Sequence, residues 1–189
     1  MADVKALRIP GKASARGRAT SINGAFANAI LPRIEPTLQE KQNTLEILNI
    51  DAANVTCAYC GDPATEWDHL YPTVMSKKPT GWGTEAANLV PACGKCNQSK
   101  GNKHWETWMS GPAVLSPTSR KIPATQERIN ALKNFVNALT AFQFEFTELE
   151  EESEWEQYWK IRDEIILKLQ HADELAAVLR QKLITKTKI

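Results

Sequence analysis

"TEWDHLYP", Thr65 to Pro72, sets an acid and a histidine side by side between a tryptophan and a proline. Alone, an Asp-His pair is an ordinary surface dipeptide. Thr65 to Tyr71 has strand-like spacing, and Pro72, which lacks the N–H a ladder needs, stops it. Neighbours on a regular strand point to opposite faces. Asp68 and His69 therefore serve one phosphate-sized group only where the strand bends or twists at its end, and Pro72 supplies such an end. What gives the pair weight lies on either side of it.

Upstream stands "CAYC" (Cys57, Cys60) and downstream "CGKC" (Cys93, Cys96), which together use all four cysteines of the chain. Nothing marks the sequence as secreted, and in a reducing compartment two Cys-x-x-Cys pairs are the signature of a tetrahedral metal site, usually zinc. The 32 residues between Cys60 and Cys93 exceed what a compact zinc ribbon needs, so more than a bare turn fills the gap.

The 189 residues suffice for one compact domain or a small one with helical extensions, and the 42% hydrophobic and 24% charged content is that of a soluble globular protein. No apolar run approaches the roughly 18 residues of a membrane span, and no secretory leader is visible, so the chain reads as soluble and cytoplasmic, without a membrane partner. The net charge of +1 conceals an asymmetry: residues 1–50 carry seven Lys/Arg against four Asp/Glu, residues 126–189 nine against twelve. Residues 1–22, with Lys5, Arg8, Lys12, Arg16 and Arg18, read as an extended basic arm for a polyanion. Residues 23–54 form a helical lead-in, whose better half runs from Pro36 to Ile50 with Thr37 as cap and Glu40 three residues on. Residues 55–109 hold the cysteines, "SKKPTGWGTEAA" as a loop, "NLVPAC" as a second short strand, and "NQSKGNKHWETWM" as a helix weakened at Gly101. Residues 110–123 read as a Pro- and Ser-rich linker. Residues 124–189 read as a long helical hairpin for packing, dimerisation or DNA contact, with Ile129, Leu132, Phe135, Val136 and Leu139 on one face of its first helix.

In order, the chain presents Cys57-x-x-Cys60, Asp68-His69, Asn88, then Cys93-x-x-Cys96 followed at once by Asn97, Lys100 and Gly101. "CAYC", "DHLYP" and "NLVPACGKCNQSKG" resemble the HNH, or ββα-metal, nucleases, in the subset propped by a four-cysteine zinc and including restriction endonucleases. The resemblance covers about fifty residues and implies an α+β fold: a small ββα-metal motif with a four-cysteine zinc site, embedded in a mostly helical chain.

It also implies roles. His69, with an ordinary pKa near 6.5, is the general base that activates water. Asp68 and Asn97 hold one catalytic Mg²⁺ or Mn²⁺, and Asn88 orients the His69 ring. The name-giving pattern ends in histidine where this chain has Asn97, a weak neutral ligand that suits a hard cation completed by water and phosphate oxygens. The implied activity is metal-dependent hydrolysis of double-stranded DNA to 5′-phosphate and 3′-hydroxyl ends, in the manner of a type II restriction enzyme working as a homodimer. Alternatives are a junction-cutting, mobile-element or toxin nuclease of the same family, or a zinc-dependent nucleic-acid-binding module without catalysis. Lys77, Lys78, Lys95, Lys100 and Lys103 are candidate phosphate contacts beside the site, and equally readable as solvated surface.

Overall fold

The structure, a computed structural model, describes residue 11 and residues 13–187. These fall into two compact units, one of residues 27–148 and one of the described residues up to Phe26 together with those from Leu149.

The larger unit is built around the two cysteine pairs. β1 (Glu66–His69) and β4 (Leu89–Ala92) pair antiparallel, with Asp68 opposite Val90 and His69 opposite Leu89. Between them β2 (Val74–Met75) and β3 (Lys78–Pro79) form a second hairpin, turned by Ser76 and Lys77 at positive φ. The expected loop there is therefore partly paired. Directly after β4, Cys93 caps α3 (Gly94–Lys100). The helix stops at Gly101, whose φ of 51° an L side chain adopts at a cost, and the chain restarts as α4 (Trp105–Ser110). The single helix expected over this stretch is thus two.

α2 (Leu38–Ile47) begins where the capping box predicts. Glu40 N donates to Thr37 Oγ1, and Thr37 N donates to the Glu40 carboxylate. α5 (Thr125–Ala138) lays Ile129, Leu132 and Phe135 into the same core as Tyr59, Leu70, Val90, Trp105 and Trp108. Burial of such side chains is worth about 1.5–3 kcal/mol each, so α5 is a structural wall of the cysteine block.

This corrects the expected boundaries. The stretch 110–123 is no linker: Ser116 is buried with its hydroxyl donating to Gly111 O at 2.7 Å, Pro117 is buried, and Arg120 reaches back to the cysteines. Nor is there a C-terminal hairpin within one unit, because α5 belongs to the larger unit and the last helix to the other. That helix, α6 (Ser153–Thr187), has 35 residues and so spans about 52 Å. None of its residues is buried.

Within the smaller unit, the described part of the basic arm is helical where an extended chain was expected. A single turn, Arg16–Arg18, leads into α1 (Ala19–Ala29). The Asp173 carboxylate of α6 accepts from Ala15 N and Arg16 N at 2.7 and 3.0 Å, satisfying donors that an N-terminal turn leaves over. Tyr158 packs on the Phe26 ring and donates to Phe26 O. Lys5, Arg8 and Lys12 lie outside the described residues.

Candidate active site and metal centre

The four cysteine sulfurs lie within 4.8 Å of one another and all four residues are buried. Tetrahedral zinc with Zn–S bonds of about 2.3 Å sets sulfurs about 3.8 Å apart, and the Cys60 and Cys93 sulfurs stand at 3.6 Å. The donor set therefore fits zinc. The first pair sits on a tight knuckle: Gly61 N donates to Cys57 O, and Gly61 has φ +83°, where a Cβ would also collide with the Arg128 guanidinium. The second pair straddles the start of α3. Ala58 N donates to Pro91 O and so ties the first knuckle to β4 beside the second.

Hydrogen bonds from Cys60 and Cys96 pull the Cys57 thiol down to about 4, and the same sharing drives Cys96 far up. Four thiols this close cannot all ionise without a cation between them. Arg120 adds positive charge from outside, donating to Cys96 Sγ at 3.4 Å and pairing with Asp62 at 3.2 Å. Such a contact offsets part of the charge of a thiolate-bound metal.

β1 distributes its two chemical residues to opposite faces. Asp68 turns inward and is buried. Its Oδ2 accepts from Tyr59 Oη at 2.7 Å and meets Lys100 Nζ at 3.3 Å. Burial pushes the Asp68 carboxyl up while Lys100 and Tyr59 hold it down, and burial pushes the Lys100 ammonium down against the pull of Asp68. Burial and the Asp68 charge keep the Tyr59 phenol well above its ordinary value, so Tyr59 is the donor. Both of these contacts fall on Oδ2, so Oδ1 could serve a cation. Asn97, half-exposed, sits three residues before Lys100 and so on the same side of α3, the side that meets Asp68. A carboxylate oxygen and an amide oxygen there suit a hard divalent cation completed by water.

His69 faces the other way, into a cleft of about 240 Å³ lined by Arg33, Glu35, Lys41, Trp67 and Thr84 among others. Trp67, two residues back, lies on the same face as the alternation requires, partly exposed rather than core. His69 Nε2 and Thr84 Oγ1 share a hydrogen bond of 2.8 Å. Burial, then the charges of Lys100 and Arg33, hold the imidazole below its usual value, hence neutral near pH 7. Within β1 the two side chains leave by opposite faces, as the alternation requires, while Lys100, which meets Asp68 Oδ2, is also among the charges acting on His69.

Two expectations are corrected. Asn88 does not hold the His69 ring. It is fully buried, its Oδ1 accepts from Tyr71 N, and its Nδ2 donates to Tyr71 O and Gly83 O, which uses its amide hydrogens. It clamps the backbone on both sides of the loop, and Thr84, next to Gly83, is what touches the ring. Lys100 is not a surface phosphate contact, because it is 1% exposed and paired with Asp68. Lys77, Lys78, Lys95 and Lys103 are exposed, with Lys103 Nζ donating to Ser99 O and Lys100 O at the end of α3. Arg16 and Arg18 are exposed in the other unit. Tyr59, Thr84, Arg33 and Arg120 went unread. Tyr59 lay inside "CAYC", but no spacing rule gives a residue between two ligands a job, and Arg120 lay in a stretch whose prolines and serines signal only a loop.

These features define a class: two strands and a helix closed by four cysteines placed to hold a metal ion, with an Asp-His pair on the first strand and an asparagine on the helix. Residues 57–103 match the model of the HNH endonuclease family. Over 70 residues the chain is also 36% identical to the CRISPR-associated endonuclease Cas9 of Corynebacterium diphtheriae, a stretch that is 35% of this chain and 6% of that protein. The chain thus spans only a small fraction of the length of the curated relative it matches. No solved structure matches it. Among the described residues no helix is long and apolar enough to cross a membrane.

Proposed function

We propose that this protein is a metal-dependent DNA endonuclease of the restriction type, cutting by direct hydrolysis with His69 as general base. The observation that carries the reading is the combination, on one zinc-fitted ββα frame, of a neutral, cleft-facing His69 with an inward carboxylate, Asp68, that meets Lys100 of the helix carrying Asn97. The Thr84 hydroxyl on Nε2 fixes the imidazole and leaves Nδ1 to take a proton from water. Asp68 and Asn97 would hold one Mg²⁺ or Mn²⁺, which supplies charge neutralisation at the scissile phosphate and at the leaving 3′ oxygen. Tyr59 and Lys100 keep Asp68 in place, and Asn88 keeps the loop carrying Thr84 against β1. Double-stranded DNA is the substrate, with 5′-phosphate and 3′-hydroxyl products, and exposed Arg16, Arg18, Lys77, Lys78, Lys95 and Lys103 serve the phosphate backbone.

A palindromic site needs two active sites and hence a second copy. α6 supports that: Leu175, Val178, Leu179 and Leu183 are each more than half exposed. Its start follows Glu148, Glu150, Glu151 and Glu152, whereas its end carries Arg180, Lys182 and Lys186. Antiparallel pairing of two such helices lays the basic end of one along the acidic end of the other, and burying that charge-flanked apolar stripe is the gain.

The test is digestion of unmodified phage and plasmid DNA by purified protein with Mg²⁺, Mn²⁺ or EDTA, beside His69→Ala. Discrete fragments that vanish in EDTA and in the variant are expected. A smear would leave hydrolysis standing and remove restriction; no cleavage of unmodified, methylated or branched DNA would leave only a zinc-dependent binding module.

A further inference from the structure

We propose that Tyr59, the residue between the two ligands of the first cysteine pair, is a positioning residue for the cation site, fixing the Asp68 carboxylate from within the zinc knuckle with Lys100, on the helix that carries Cys96, as its counterpart. This deepens the nuclease reading and rests on it.

Tyr59 is fully buried, and its Oη lies 2.7 Å from Asp68 Oδ2. The backbone around it is closed on both sides, Cys57 N donating to Asp62 O and Gly61 N to Cys57 O. Its ring stands edge-on to Trp108 with centroids 5.2 Å apart, so a closed knuckle leaves the phenol no other place. Lys100 arrives from the opposite side, four residues after Cys96 on α3. Its Nζ stands 3.3 Å from the same Oδ2, and it also donates to Gly101 O at 3.2 Å.

Two donors on one carboxylate oxygen remove rotation about the side-chain bond and present Oδ1 in one direction. Tyr59 sits inside the first cysteine pair and Lys100 on the helix that carries Cys96 of the second, so the geometry of the cation ligand is set by the closure of the zinc site. A hydroxyl used only to satisfy the core would equally be met by a backbone carbonyl. Here it is spent on Asp68, a buried carboxylate paired with Lys100 of α3, and outer-shell partners of that kind typically change metal affinity by 10–100-fold.

The test uses the full-length, zinc-loaded protein, with Mn²⁺ binding followed by electron paramagnetic resonance and zinc measured separately. Tyr59→Phe removes only the hydroxyl. It is expected to keep one zinc per chain and to bind Mn²⁺ about tenfold more weakly, with the same factor in the Mn²⁺ concentration that half-activates cleavage and no change in the KM for DNA. Unchanged Mn²⁺ affinity at full zinc content would overturn the proposal. Should Tyr59→Phe fail to fold, Lys100→Arg, which keeps the charge but not the point contact, carries the same expectation and the same failure. Asp68→Ala separates the two readings. If it binds Mn²⁺ as wild type does, Asp68 is no cation ligand and the nuclease assignment of this site falls with the proposal. If it loses the ion while Tyr59→Phe does not, only the positioning role falls.

Discussion

The cysteine block and the last helix of this chain solve opposite problems. The block packs a buried aspartate, a buried lysine, a buried asparagine and four thiols into a space whose apolar cover comes from α4 and α5. The helix α6 is five times the length of α3, yet buries no residue at all. In the first region Asp68, Lys100 and Asn88 are worth having inside because each has a partner, and removing one partner strands another. In the second, apolar groups stand outside, and their worth depends on whatever covers them. Buried polar ties are concentrated in the cysteine block, whereas α6 is held by a few contacts at its surface, such as those of Asp173 and Tyr158.

The largest expected effect sharpens that contrast. Cys96→Ser should abolish zinc binding and collapse the packing around Trp105 and Trp108, because a structural zinc site contributes on the order of 10 kcal/mol of folding free energy. Metal analysis and near-ultraviolet circular dichroism check it, with loss of the tryptophan signal expected. A protein that retained the signal without zinc would break the comparison at its root.

Next comes chemistry without structure. His69→Ala should lower cleavage by about 10²–10⁴-fold, the range for a positioned general base, with a melting temperature near wild type. Lys100→Met should cost about 3–5 kcal/mol in chemical denaturation, since it leaves the Asp68 carboxylate buried and unpaired. Lys103→Ala, three residues on and exposed, should stay within about 0.5 kcal/mol. Similar costs for the two lysines would contradict the buried pair.

On the other side of the comparison, if α6 pairs as proposed, Leu179→Glu combined with Leu183→Glu should lower the sedimenting mass from two chains to one and leave the zinc-centred melting transition where it was. The smallest effect concerns pH. Because burial, Lys100 and Arg33 lower the His69 pKa, its neutral form persists as pH falls through the ordinary histidine value of about 6.5. Cleavage should therefore lose its base only below that value. A kcat/KM profile whose acid limb sits above it would mean that the cleft does not shield His69.

What the chain determined by itself was whatever depends on short spacing. Two Cys-x-x-Cys pairs demand one ion, Thr37 and Glu40 three apart make a capping box, and Gly101 ends a helix, because each is an interaction within a turn or two of backbone. The Asp-His pair was legible as a candidate site for the same reason. Only the tertiary structure decided which neighbour each group meets. Lys100 and Lys103 are alike as residues, and one is buried on Asp68 because α3 lays that side against β1. The family resemblance implies a ring-orienting role for Asn88, but in the fold its amide is taken by Tyr71 and Gly83. Arg120 and Arg128 come to the cysteine knuckles from residues that in the sequence belong to a linker and a distant helix. Such contacts join positions tens of residues apart, and no local periodicity records them. The chain folds so that long-range packing, through α5 and the stretch before it, finishes a site whose outline is written in fewer than fifty residues.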